Sequence, residues 1–117
     1  MLAREMALIG VKVTVIEPGG FRTDFAGSST VLEGGRAEYD AVVGAAARMQ
    51  RDYNGRQPGD PVRAASVILE LASMGEPPFR IALGSDAVGA IAKADLARLT
   101  DLERWRKVSV STDFPDV

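Results

Sequence analysis

Gly10 to Gly27 reads GVKVTVIEPGGFRTDFAG, and this stretch decides the fold. Val11, Val13, Thr14, Val15 and Ile16 are β-branched, and Lys12 is the only charge before Glu17. Branching at Cβ favours the extended pleat, so 11–16 is predicted as a strand. A nearly unbroken apolar strand wants cover on both faces, as in parallel sheets. Glu17-Pro18-Gly19-Gly20 then stops it. Upstream, Leu2, Met6 and Ile9 share one helical face among good helix formers, which predicts a helix over 1–9. Gly10 suits the left-handed position just past its last turn. The helix opens on Met1 with no capping side chain, so it is expected to be the tail of a longer one.

Beyond the strand, residues 18–36 hold Gly19, Gly20, Gly27, Gly34 and Gly35 together with Ser28, Ser29 and Thr30. A loop of that length is uncommon in a compact domain and is often functional. Tyr39, Val42, Ala46, Met49 and Tyr53 recur at helical spacing, which predicts a helix over 37–50. Asp60-Pro61 is a helix start, an N-cap acceptor before Pro at the first helical position. Val62, Ala65, Ile68, Leu69 and Ala72 are its expected buried stripe. Phe79–Leu83 reads as a second strand, Gly84-Ser85-Asp86 as a turn with Ser85 as a candidate cap, and 87–107 as a helix. Val88, Ile91, Ala92, Leu96, Leu99 and Leu102 give that helix an apolar stripe, and Glu103 can pair with Lys107. Residues 109–117 are expected to be a loose tail. Two strands separated by helices give an α/β class with parallel pairing over about 11–16 and 79–83. Two parallel strands alone make a poor sheet, because each leaves an edge unpaired.

The 117 residues form one domain by length. Fourteen basic against sixteen acidic residues give a net charge of −2, which argues against broad binding to nucleic acid or an anionic membrane. No Cys and no His are present, which removes thiolate chemistry, His-dependent triads and the commonest metal ligands. No metal site and no catalytic residue is assigned. A cytoplasmic chain is the simplest expectation. Arg22 is either a surface charge beside a turn or a holder of a phosphate or carboxylate at the strand's carboxyl end. Ser28-Ser29-Thr30 has no base nearby and reads as a polar loop. Trp105, flanked by Arg104 and Arg106, reads as an interface residue rather than a base-stacking platform.

The Gly10–Gly27 stretch, with the preceding Leu-Ala-Arg-Glu-Met-Ala-Leu-Ile, closely resembles the sixth-strand region of the classical short-chain dehydrogenase/reductase family. Those enzymes are Rossmann-fold oxidoreductases that use NAD or NADP. Their Pro-Gly, three residues, then Thr falls here on Pro18-Gly19, Gly20-Phe21-Arg22 and Thr23. The later segments follow in family order, so the resemblance covers essentially the whole chain. The family's glycine-rich loop and its Ser–Tyr–Lys set have no counterpart: four residues after Tyr39 stands Val43, and after Tyr53 stands Gln57, not Lys.

The resemblance therefore implies an incomplete Rossmann-like fragment, the carboxy-terminal half of an oxidoreductase acting on a carbonyl or alcohol and inactive alone. Its strands would be the last two of seven. Pro18, Gly19, Gly20 and Thr23 are the implied cofactor-binding residues. Phe21, Phe25, Val31, Tyr39 and Val42 are the implied substrate-pocket residues, within a lid spanning 18–56. NAD or NADP is the implied cofactor, not bound by this chain alone. The expected partners are a missing amino-terminal half or further copies of the chain, with a small-molecule substrate in the intact enzyme. Two alternatives remain open: a non-catalytic, self-associating α/β module, and a domain that binds a small ligand in the Gly19–Arg36 loop.

Overall fold

The computed structural model describes residues 1–115. The elements run α1 (Leu2–Ala7), β1 (Val15–Pro18), α2 (Ala45–Tyr53), α3 (Pro61–Ser73), β2 (Arg80–Leu83) and α4 (Ser85–Val110). Between β1 and α2 lie 3-10 turns at Asp24–Ala26 and Ala37–Tyr39 and a wide π turn at Asp40–Gly44. β1 and β2 pair in parallel, from Val15 opposite Arg80 to Pro18 opposite Leu83. The molecule is thus a two-stranded parallel sheet flanked by helices, a partial Rossmann-like α/β fold.

Local chemistry sets the element ends. The Val11 N–H reaches the Met6 carbonyl and the Gly10 N–H reaches that of Ala7, with Gly10 at φ +75. That bond pair is a Schellman close, and it ends α1 before the predicted Ile9. Asp60 accepts from the Val62 N–H at 2.9 Å, with Pro61 opening α3. Pairing of β1 starts at Val15, later than the predicted residue 11, because the facing segment contains Pro77 and Pro78. Neither has an N–H to give a ladder. Thr14 and Lys12 instead use their side chains there, on the carbonyls of Pro78 and Met74. The far end of β1 extends through Pro18. Val15 and Gly19 donate toward β2, so the alternate position Pro18 faces the open edge, where a missing N–H costs nothing.

Ile16 lines a cleft with Ile68 and Leu71 of α3, while Glu17 lines another with Ala87 and Ile91 of α4. Successive strand residues point to opposite faces, so α3 and α4 cover opposite sides of β1. On α3 the covered residues are Ala64, Val67 and Leu71, and the predicted stripe Val62, Ala65, Ile68, Leu69 and Ala72 is exposed. Ile68 and Ala72 border the Ile16 cleft from its open side, and Val62 and Leu69 are the most exposed of the stripe's large residues. α4 covers the sheet only with Ala87 and Ile91, leaving Val88, Leu96, Leu99 and Leu102 uncovered. A helix of 26 residues is about 39 Å long, far longer than a four-residue strand. It also begins and ends outside the predicted 87–107. Gly84 at φ +106 turns the chain directly from β2, so Ser85 lies inside the helix and does not cap it. Glu103 accepts from the Nε and Nη2 of Arg106 rather than pairing with Lys107. Ser109 and Val110 are helical, and residues 116 and 117 of the expected tail lie outside the described residues.

The result is a thin core. Leu71 and Leu83 are its only buried side chains larger than alanine among the described apolar residues. The accessible surface is 9744 Å², whereas a compact globule of 12.4 kDa exposes about 6,100 Å². The radius of gyration is 20.2 Å, against about 13 Å for a compact domain of this length. Among the described residues no helix is long and apolar enough to cross a membrane.

Candidate functional site

The chain after β1 is held at the carboxyl end of the sheet by three elements. Gly19 donates to the Leu83 carbonyl at 2.8 Å, continuing the β1–β2 direction. Gly20 donates its N–H to the Asp86 carboxylate at 2.6 Å, at the start of α4. Phe21 and Gly59 then form a parallel bridge, in which Gly59 donates to the Gly20 carbonyl and Arg22 to the Gly59 carbonyl, both at 2.9 Å.

Two of the glycines are required by close approach. A Cβ on Gly19 would overlap the Asp86 carboxylate, and one on Gly20 would overlap the Tyr53 hydroxyl. The double glycine therefore lets the start of α4 and the end of α2 close on the same turn from opposite sides. The Gly20 N–H, first, and then the amides opening α4 hold the Asp86 carboxyl below the ordinary carboxylate range, against an opposing desolvation.

Two clefts flank Pro18-Gly19. One, of about 390 Å³, lies between Glu17 and the first turns of α4. The other, of about 410 Å³, is lined by Pro18, Gly19, Gly20, Phe21, Thr23, Phe25, Ala26, Gln50, Tyr53 and Gln57. The second cleft brings together all four residues implied for the cofactor and two of the five implied for the substrate. Val31, Tyr39 and Val42 do not line it and are exposed.

Thr23 accepts the Phe25 N–H at 3.3 Å, capping the 3-10 turn and leaving its own hydroxyl proton free to donate. Ser28, Ser29 and Thr30 donate back to Asp24 and Phe25, so this hydroxyl cluster serves the turn. Arg22 serves the backbone here: its Nε and Nη2 donate to the Gln57 carbonyl at 3.2 and 3.0 Å. Further along, Asp40 and Arg48 form a two-pronged ion pair across Gly44, where a Cβ would overlap the Asp40 carboxylate. Arg48 draws the Asp40 carboxyl below its ordinary range.

Asp86, Gln57 and Gly59 belong to this site and were not singled out from the sequence. Asp86 had a signal: parallel strands put both carboxyl ends side by side, so the turn after β2 must meet the turn after β1. Gln57 had none. It is 3% exposed, and its side-chain oxygen has no hydrogen-bond partner.

The Phe21 N–H lies outside the Gly59 bridge, the Phe21 carbonyl accepts the Thr23 N–H at 2.9 Å, and Thr23 keeps a free hydroxyl proton. Such donors suit a flat ring bearing a carboxamide. A glycine-rich phosphate loop is absent from the sequence.

No protein-family model matches the chain. It is 39% identical over 112 residues to the oxidoreductase BOA17 of Botryotinia fuckeliana, covering 96% of this chain and 41% of that protein. It is 28% identical over 87 residues to the oxidoreductase C162.03 of Schizosaccharomyces pombe, covering 71% of this chain and 28% of that protein. Its fold superposes on a short-chain dehydrogenase from Streptomyces avermitilis with a TM-score of 0.77 and 35% identity, over 96% of this chain and 40% of that protein. Over most of its length, the chain is homologous to short-chain dehydrogenase/reductase oxidoreductases. It spans about two-fifths or less of each of these relatives.

Proposed function

We propose that these residues form the carboxy-terminal part of an NAD(P)-dependent short-chain oxidoreductase that acts on a small carbonyl or alcohol. The observation that carries this reading is the cleft at the carboxyl end of the parallel strands, where such folds bind ligands. Pro18, Gly19, Gly20 and Thr23 border the nicotinamide end, with the Thr23 hydroxyl donating to its carboxamide. Phe21 and Phe25 form the apolar wall for the substrate. Val31, Tyr39 and Val42 lie on the 18–56 lid and serve the substrate in the complete enzyme. The bound cofactor supplies hydride transfer.

The chain alone lacks a Tyr-x-x-x-Lys proton donor and is therefore inactive. The uncovered faces of α3 and α4 and the open edge of β1 support a need for more polypeptide. The test is co-expression with the part of the Botryotinia oxidoreductase that this chain does not match. Dinucleotide-dependent reduction of a carbonyl panel by the complex, and none by the 117-residue chain, is expected. Turnover by the chain alone, or none by a complex that forms, overturns the reading.

The same open edge favours a second reading, a non-catalytic module that associates with copies of itself. A complex that forms with the complementing part, while the chain alone stays monomeric, excludes it.

A further inference from the structure

Beyond Ile91, α4 leaves the fold: every residue from Ala92 to Val110 is exposed. More sheet alone leaves that half bare, because the helix is about 39 Å long and a strand of ordinary length is about 17–20 Å. Down one side of α4 run Ile91, Asp95, Leu99, Leu102, Arg106 and Val110, at steps of 4, 4, 3, 4 and 4 residues. At 3.6 residues per turn they share one stripe about 100° wide. The spacing reads the same from either end. Turned end for end, the stripe sets Ile91 at the level of Val110, Leu99 at that of Leu102, and Asp95 at that of Arg106. Apolar residues meet apolar ones and the acid meets the base, so the stripe complements itself under a two-fold axis between Thr100 and Asp101. A parallel copy would instead face Asp95 with Asp95 and Arg106 with Arg106. Among the described residues Asp95 makes no ion pair, and Arg106 gives Nε and Nη2 to Glu103 while keeping Nη1.

We propose that the distal half of α4 is a docking surface for a second copy of this chain, which lies on it antiparallel. Leu99 and Leu102 of both copies fill the centre, and Asp95 faces the partner's Arg106 once on each side of the axis. The open edge of β1 takes no part, so this pairing differs from association through the sheet. It goes beyond the oxidoreductase reading and concerns how the complete protein assembles.

The test is made on the complex with the complementing oxidoreductase part, so it does not require the chain to fold alone. Sedimentation equilibrium over a dilution series reads the particle mass and its dissociation constant. The unaltered complex is expected to hold an even number of copies of this chain. Asp95→Arg alone sets Arg against Arg on both sides of the axis, and Arg106→Asp alone sets Asp against Asp. Each is expected to weaken the association at least about a hundredfold and to halve the particle. Both positions are exposed, so neither change disturbs the core. An equimolar mixture of the two variants again sets Arg against Asp on both sides, and is expected to restore the mass in particles that hold one of each. A particle with one copy of this chain, as when the complementing part covers the stripe, overturns the proposal. So does a mass that neither variant changes, or a loss that mixing does not restore. Mass decides this proposal and turnover decides the oxidoreductase reading, so the two fail separately.

Discussion

Gly20 donates its backbone N–H to the Asp86 carboxylate at 2.6 Å, joining positions 66 residues apart. The contact ties the turn after β1 to the first turn of α4, and Pro18 and Gly19, which line both clefts, lead into that turn. Replacing Asp86 by Ala leaves the part-buried Gly20 N–H without its acceptor. In the complex with the complementing oxidoreductase part, where this and the variants below are measured, we expect Asp86→Ala to lower the denaturant midpoint measurably and Asp86→Asn, which keeps an acceptor oxygen, to lower it less.

The same contact sets an acid limit. Asp86 is held below its ordinary range in the folded chain, so its carboxylate contributes stability that is fully present above the unfolded carboxylate value. That contribution is lost as pH falls through the depressed folded value. Between about pH 5 and 8 it is constant. Urea denaturation across the acid range is expected to show a shallower fall for Asp86→Asn than for the unaltered chain. A residual fall remains, because Asp40 beside Arg48 and Glu103 beside Arg106 are depressed in the same direction.

Gly19 has no room for a side chain. Gly19→Ala drives a methyl into the Asp86 carboxylate and strips it from Gly20. Overpacking of this kind costs about 1–3 kcal/mol. Gly34→Ala, where a Cβ meets open space, is expected to change stability by less than about 0.5 kcal/mol. Chemical denaturation of the two variants side by side measures the contrast.

Gly20 meets a different neighbour. The atoms that a Cβ would strike there are the Tyr53 hydroxyl and ring, on a side chain that is partly exposed and can swing outward. Gly20→Ala is therefore expected to be milder than Gly19→Ala while raising the solvent exposure of Tyr53. Tyrosine fluorescence quenching by iodide reads that exposure.

Sequence-legible features were those written in neighbouring residues. Gly10 closing α1, Asp60-Pro61 opening α3, the Pro18-Gly19 stop and the parallel class all follow from local conformational preference. What escaped was tertiary. Whether α3 buries Ala64, Val67 and Leu71 or Ala65, Ile68 and Ala72 cannot be read from a helix apolar on both sides. The late start of β1 depends on prolines more than 60 residues away. Within the site, Pro18 through Phe21, Thr23 and Phe25 share a cleft because they are close in sequence. Gln57 joins it only through folding, as Asp86 joins the neighbouring cleft, and Val31, Tyr39 and Val42 share a chain segment with it without lining it.

The central claim is that β1, β2 and their helices cannot close a core without further polypeptide. Sedimentation and calorimetry on the 117-residue chain at one concentration test it most directly. We expect self-associated species, or a monomer without a sharp unfolding transition. A stable monomer that unfolds cooperatively with about 0.7 kcal/mol of enthalpy per residue would contradict it.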